Sequence, residues 1–271
     1  MVTILHGLAL ALYVVAAGVL AGSLAEGRRS VPRLGGLATV GGAAAHGAGL
    51  VGYTLVYGEA PLIGLAPSLA TLGFVIAVSL LVATAFRESK ALGLVLLPLA
   101  ASLLAVALAL GVAPAGEALA FRGAWFQFHV VLGFVGFAAL SVAFAAGLLY
   151  LLQFRELKGK HLGRIFRFLP ALDTLDRVGR LAVAVGFPSL SVALALGWAW
   201  TVRFQNSFAV RDPQVIWGVL TWLTFVGLVW ARSVGRGRGR RGAVASVVGF
   251  VVVIVAYIVL RIATAEGPRF L

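Results

Sequence analysis

Eight long apolar runs dominate the sequence, near 2–24, 34–57, 65–86, 91–111, 125–153, 182–202, 214–231 and 243–263. Roughly 20 predominantly apolar residues suffice for an α-helix to cross the hydrocarbon core of a bilayer. Inside lipid every backbone polar group must find its partner within the protein, which a helix provides along its own length. The pattern therefore predicts an all-α fold, a polytopic membrane bundle of about eight transmembrane helices. The fifth run is long enough to tilt or to project beyond the bilayer. Pro98 and Pro188 fall inside runs, where neighbouring helices must satisfy the freed carbonyls. No repeat or soluble segment interrupts the pattern, so residues 1–271 read as a single integral membrane domain. The first run lacks a charged leader and a clear cleavage site, and reads as a retained helix rather than a signal peptide.

Composition agrees with a lipid solvent. The chain is 61% hydrophobic and only 11% charged, too little polar residue to clothe a soluble core of this length. Its net charge of +13 does not call for nucleic acid, because the basic residues sit in short loops between apolar runs. Their distribution orients the chain. Of the 22 Lys and Arg residues, 17 fall in the first, third, fifth and seventh loops, the largest groups being 155–180 and 232–241. Only Arg122, Arg203, Arg211, Arg261 and Arg269 fall on the other side. The positive-inside rule then makes the odd loops cytoplasmic and puts both termini outside. The Arg-rich run at 236–241 reads as a topology anchor, with lipid headgroup binding as the lesser alternative. The chain has no cysteine, which excludes a disulfide, a thiolate ligand and covalent haem attachment to itself.

Ionisable residues inside a membrane span are costly and mark function. His46 lies near the middle of the second run, His129 near the outer end of the fifth, and His6 near the outer end of the first. His161 falls in a basic loop and reads as solvated. Gly42, His46, Gly49 and Tyr53 share one helical face, as do Trp125, His129, Gly133 and Gly136. Small residues beside a histidine let another helix or a flat group approach. The pattern leaves two readings open: a small-residue packing seam with an interhelical hydrogen bond, and axial ligation of a haem iron by imidazoles on facing helices. No HExxH motif, paired-carboxylate cluster or Ser-His-Asp set points to hydrolysis or a di-iron centre. Asp212, followed by Pro213, fits the cap and first turn of the seventh helix.

The second half resembles a known family. LPALDTLDRVGRLAVAVGFPSLSVALALGWAW (169–200) and RDPQVIWGVLTW (211–222) are similar to segments flanking the tryptophan-rich outer loop of cytochrome c assembly proteins of the CcsA/CcmC/HemX group. Asp212, Pro213, Trp217 and Trp222 stand at that family's positions. The segment 125–152 resembles its W-x-x-x-H-V span, with Trp125 and His129 in register, and 237–260 resembles its last loop and span. The resemblance covers about 122–262. The departures are specific. Gln205, Ala209 and Arg211 stand where the family carries tryptophans, Trp230 stands where it has a histidine, and the tail TAEGPRFL lacks its second outer histidine. The first run, LHGLALALY, is similar to the start of the shorter HemX/YpjD-like branch, which implicates His6. The histidine pair of that branch matches His46 and His129.

The resemblance implies a haem b-binding protein of the cell (cytoplasmic) membrane. It would handle haem for cytochrome c assembly on the outer side, with other assembly proteins as partners, as an assembly factor rather than an enzyme. His129 and His46 are the axial pair expected from residue matching, whereas depth along the helices favours His6 with His129. Arg122, Asp212 and Trp217 would shape the outer mouth, Arg122 toward a haem propionate. The rival readings are a HemX-like regulator of haem synthesis acting through the fifth loop, a quinol-linked cytochrome b, and a small-solute transporter. Three span histidines are one short of the four that two bis-histidine haems would need.

Overall fold

A computed structural model describes residues 1–27, 32–85, 90–114, 123–160, 163–205, 213–233 and 238–263. Arg122, His161 and Asp212, all considered above, lie outside them. The described elements are α1 (Val2–Glu26), α2 (Arg33–Tyr57), α3 (Leu65–Ala85), a 3-10 turn (Lys90–Leu92) leading into α4 (Gly93–Leu110), α5 (Ala124–Lys158), the short α6 (Arg164–Phe168), α7 (Leu172–Gln205), α8 (Pro213–Ser233) and α9 (Arg238–Ala263). Among these, eight helices are long and apolar enough to cross a membrane, as the sequence predicts. The protein is an all-α polytopic membrane bundle.

Helix ends follow local chemistry. Gly27 and Gly58 close α1 and α2 in the left-handed region, at φ 67° and 72°, where a side chain would be strained. Pro213 opens α8, where its missing N–H costs nothing. Pro98 lies inside α4, and the Ser102 hydroxyl donates to its carbonyl at 2.8 Å.

The helices pack around two connected centres. In the first, α1 lies along α2 and α4, and α3 along α4, over Tyr13, Tyr53, Ile76, Leu96 and Leu104. In the second, α5 is the axis, packed against α7 and α9, with α8 beside both α7 and α9. Small residues make this closeness attainable: Ala138, Ala139, Ala143, Ala145 and Ala146 of α5 are all buried. A Cβ at Gly147 would stand 2.7 Å from the Ala243 carbonyl oxygen, so α5 and α9 meet nearly backbone to backbone. Leu and Val side chains on the outer surface stay exposed, Leu55 by 76% and Leu37 by 70%, which a lipid surrounding explains. Contact between α3 and α5 joins the halves.

Two boundaries differ from the sequence reading. The sixth span is expected from 182, yet α7 starts at Leu172. Its first ten residues are amphipathic: Leu175 and Val178 are buried while Asp173, Arg177 and Arg180 point away from the core. A window tuned to uniform apolarity passes over such a turn of helix. The seventh basic loop is likewise shorter than expected, because α9 takes up Arg238, Arg240 and Arg241 in its first turn.

At that end of the bundle a buried ion pair ties three helices together. Arg232 of α8, with its side chain only 8% exposed, donates from Nη1 to Asp176 Oδ1 of α7 at 3.0 Å. Its Nη2 donates to Ser246 Oγ of α9 at 3.0 Å. Asp176 also accepts from Arg180 one helical turn on. Gly179 and Gly242 give the Arg232 side chain its space, since a Cβ at Gly179 would stand 2.5 Å from Nη2 and one at Gly242 2.7 Å from Cγ. A charge this buried persists because it is both paired and hydrogen-bonded.

Candidate functional site

The three span histidines fall into two groups. His6 of α1 and His46 of α2 are both fully buried, with ring centroids 5.3 Å apart and edge to face. Phe74 of α3 closes one side of His46 at 5.6 Å. The Tyr13 hydroxyl and His46 Nδ1 share a hydrogen bond of 3.2 Å. His6 Nδ1 donates to the Val2 carbonyl at 2.8 Å. A carbonyl only accepts, so the proton is on Nδ1 and His6 Nε2 carries a lone pair. Nε2 of both rings is buried without a hydrogen-bond partner, the Ala70 carbonyl beside His46 falling short of hydrogen-bond geometry.

The glycine face of α2 has its use here. A Cβ at Gly42 would meet the Tyr13 ring at 2.8 Å, and one at Gly49 would meet His6 Cε1 at 2.7 Å. Both glycines therefore make room for rings of α1. The small-residue seam expected from the sequence is present, and the flat groups lying in it are aromatic side chains of the neighbouring helix.

His129 stands apart from this pair, on α5 against α7. Its Nδ1 donates to the Ala193 carbonyl at 2.7 Å, which again leaves the lone pair on Nε2. Gly197, one turn further on α7, lies under the ring: a Cβ there would come within 2.7 Å of Cε1. Trp125, one turn before His129, donates from Nε1 to the Leu196 carbonyl at 3.0 Å and is 46% exposed. Two side chains of α5 thus grip consecutive turns of α7. Gly133, one turn below His129 on the same face of α5, has open space where its Cβ would be. The His6–His46 group is closed by its own neighbours, whereas the His129 group is half-buried and has room beside it.

The axial pair His46 with His129 expected from the resemblance is not brought into ring contact. His46 meets rings of α1 and α3, and His129 meets α5 and α7. Trp217 is taken up in packing. It stacks on Phe137 at 4.3 Å, lies 5.3 Å from Tyr257, and donates to the Val253 carbonyl at 3.1 Å. Trp222 donates to Ser191 Oγ at 2.9 Å.

Tyr13 and Gly197 were not singled out from sequence. Tyr13 had a signal: the buried residues of α1 run His6, Ala9, Tyr13, Ala16, Leu20 and Ser23, a stripe of threes and fours that places Tyr13 two turns below His6. Nothing local distinguishes Gly197 among 34 glycines, because its role is set by a ring from another helix.

Comparison with known proteins supplies the remaining context. The family model described as "Cytochrome C assembly protein" matches residues 62–265. Relatives named "Cytochrome c biogenesis protein CcsA" are 26% identical in Guillardia theta, covering 51% of each chain. That from Chlamydomonas reinhardtii is 28% identical, over 51% of this chain and 38% of its own length. A further one from Microcystis aeruginosa is 28% identical over 84% of this chain and 85% of its own. The chain thus spans about half or less of the first two relatives it matches. These matches carry the CcsA name and lend the HemX-like branch no support. The family model covers about three quarters of the chain and all of α3 to α9, and on that match the chain belongs to the cytochrome c assembly protein family.

Proposed function

We propose that this protein handles haem for cytochrome c assembly, holding haem b near the outer face of the cytoplasmic membrane and presenting it to partner assembly proteins. The observation that carries the reading is the state of His129. A backbone carbonyl fixes its ring through Nδ1, its Nε2 lone pair is left for a metal, and the adjacent turn at Gly133 is open. Metal-ligating histidines are held in this manner, with the second nitrogen donating to a carbonyl or carboxylate that sets tautomer and orientation. Family membership and the CcsA relatives support the same reading.

Haem bound there would contribute an iron with an open affinity for a neutral imidazole. The protein's own part is to present that imidazole, to orient it through the Ala193 carbonyl, and to offer an apolar flank. Trp125 would border the flank, since it is part-exposed one turn above His129. Arg122 and Asp212 would lie at the outer mouth, Arg122 facing a propionate. Trp217, stacked on Phe137, would brace α8 rather than touch the macrocycle. His6 carries the same free Nε2, and Nε2 of His46 is buried without a hydrogen-bond partner, but the two rings stand 5.3 Å apart, with no room for a porphyrin between them unless α1 and α2 separate. Either one would need that separation before it could serve as a second ligand.

Deleting the gene in its host and measuring covalent haem on c-type cytochromes tests the assembly role. Loss of c-type cytochromes with normal b-type haem is the expected result. Unchanged c-type cytochromes together with altered haem-precursor levels would replace the proposal with a regulatory role.

A further inference from the structure

Between α8 and α9, at the Lys/Arg-rich end of the bundle, lies a cleft of about 410 Å³. Its walls are Trp230, Val244 and Val248, and two arginines, Arg240 and Arg241, stand at its rim. Trp230 is 68% exposed and Val248 54% exposed, so the apolar wall faces away from the protein core. Arg240 is seated with its guanidinium carbon 5.4 Å above the Phe154 ring of α5, which fixes one of the two charges in place. The floor is rigid for a separate reason. Arg232 joins α8 to α9 through Ser246 and to α7 through Asp176, so the helices flanking the cleft cannot drift apart at this level.

We infer that this cleft is a binding site for one anionic phospholipid of the cytoplasmic leaflet, its phosphate held by Arg240 and Arg241 and its acyl chain laid along Val244 and Val248. Depth and charge both favour that occupant. Trp230 stands three residues before the end of α8, the level at which tryptophan settles at a membrane interface. From Arg240 to Val248 the wall descends two turns, about 12 Å toward the bilayer centre. A site with two cations at headgroup level and apolar wall below matches the order of chemistry along a lipid molecule. A second copy of this chain fits poorly, since each copy carries a net charge of +13 and the rim would face like charge.

The test is native mass spectrometry of the full-length protein in detergent, titrated with phosphatidylglycerol or phosphatidylcholine of the same chains. Wild type is expected to hold one phosphatidylglycerol with roughly twenty-five-fold preference, about fivefold per arginine. Arg240→Gln with Arg241→Gln should erase the preference. Val248→Trp fills the cleft from its exposed side and leaves both charges in place, and it should lower retention of the lipid even if the double variant fails to fold. Excess inorganic phosphate should not displace the lipid. Equal binding of the two lipids, or full retention by the variants, would overturn the inference. Displacement by phosphate would show that the arginines serve a free anion and would overturn the assignment to a lipid.

Discussion

Gly197→Ala is the sharpest perturbation of the His129 arrangement, because it adds one carbon, on a different helix, without touching the histidine. The new Cβ would stand 2.7 Å from Cε1 and 3.1 Å from Nδ1, and ordinary contact begins at 3.4 Å. The ring must retreat by the difference, away from α7. The hydrogen bond to Ala193 is now 2.7 Å long, and a retreat of that size takes it past the ~3.2 Å limit of a good N–H···O bond. Losing that bond removes about 0.5–1.5 kcal/mol of stability. The larger consequence is for ligation, because disturbing the partner that orients a ligating histidine weakens metal binding about 10–100-fold. The assay is haem titration of the purified variant in detergent, with a melting curve for folding. Gly18→Ala serves as the control, since a Cβ there meets nothing within 4 Å. A folded Gly197→Ala protein that binds haem as tightly as wild type, with the same spectrum, would refute the reasoning.

Other predictions follow from the same geometry. Asp176→Asn strips the counter-charge from Arg232, whose side chain is 8% exposed, and should cost about 3–5 kcal/mol in detergent melting; Arg180→Gln, at a side chain 49% exposed, should cost little. Tyr13→Phe leaves His46 Nδ1 unsatisfied and should lower stability by about 1–3 kcal/mol, and an unchanged melting temperature would mean the hydroxyl does not serve that nitrogen. The chain has no cysteine, so single cysteines report topology cleanly. Gly123→Cys, at an ordinary backbone angle with open space for its side chain, should react with a membrane-impermeant thiol reagent from outside and Gly159→Cys only from inside; the reverse pattern would invert the orientation read from the arginines.

The spans were legible because lipid imposes one demand, an apolar run of sufficient length, and the sequence satisfies it eight times. The early start of α7 was not, since Leu175 and Val178 are buried among charged residues and only the fold shows which face they occupy. The face Gly42, His46, Gly49 was visible as a small-residue stripe, but the stripe is silent about what lies in it. Tyr13 and His6 fill it because α1 packs there, which is a fact of helix arrangement and not of local spacing. The partition of the histidines into a closed pair and a lone, carbonyl-held His129 is of the same kind. Resemblance to the HemX-like branch singled out His46 and His129; that the ring beside His46 is that of His6 is visible only in the fold. The Arg232 clamp was hidden for a further reason: its arginine reads as one more loop charge until Asp176, 56 residues earlier, is seen beside it.

The central claim is that His129 presents Nε2 to a haem iron. The most direct measurement is the absorption spectrum of the full chain purified in detergent after expression with ample haem, oxidised and dithionite-reduced, beside His129→Ala. The account predicts a sharp Soret band and reduced α and β bands in the wild type, lost or shifted in His129→Ala while the melting curve stays cooperative. Haem retained with an unshifted spectrum in His129→Ala would contradict it.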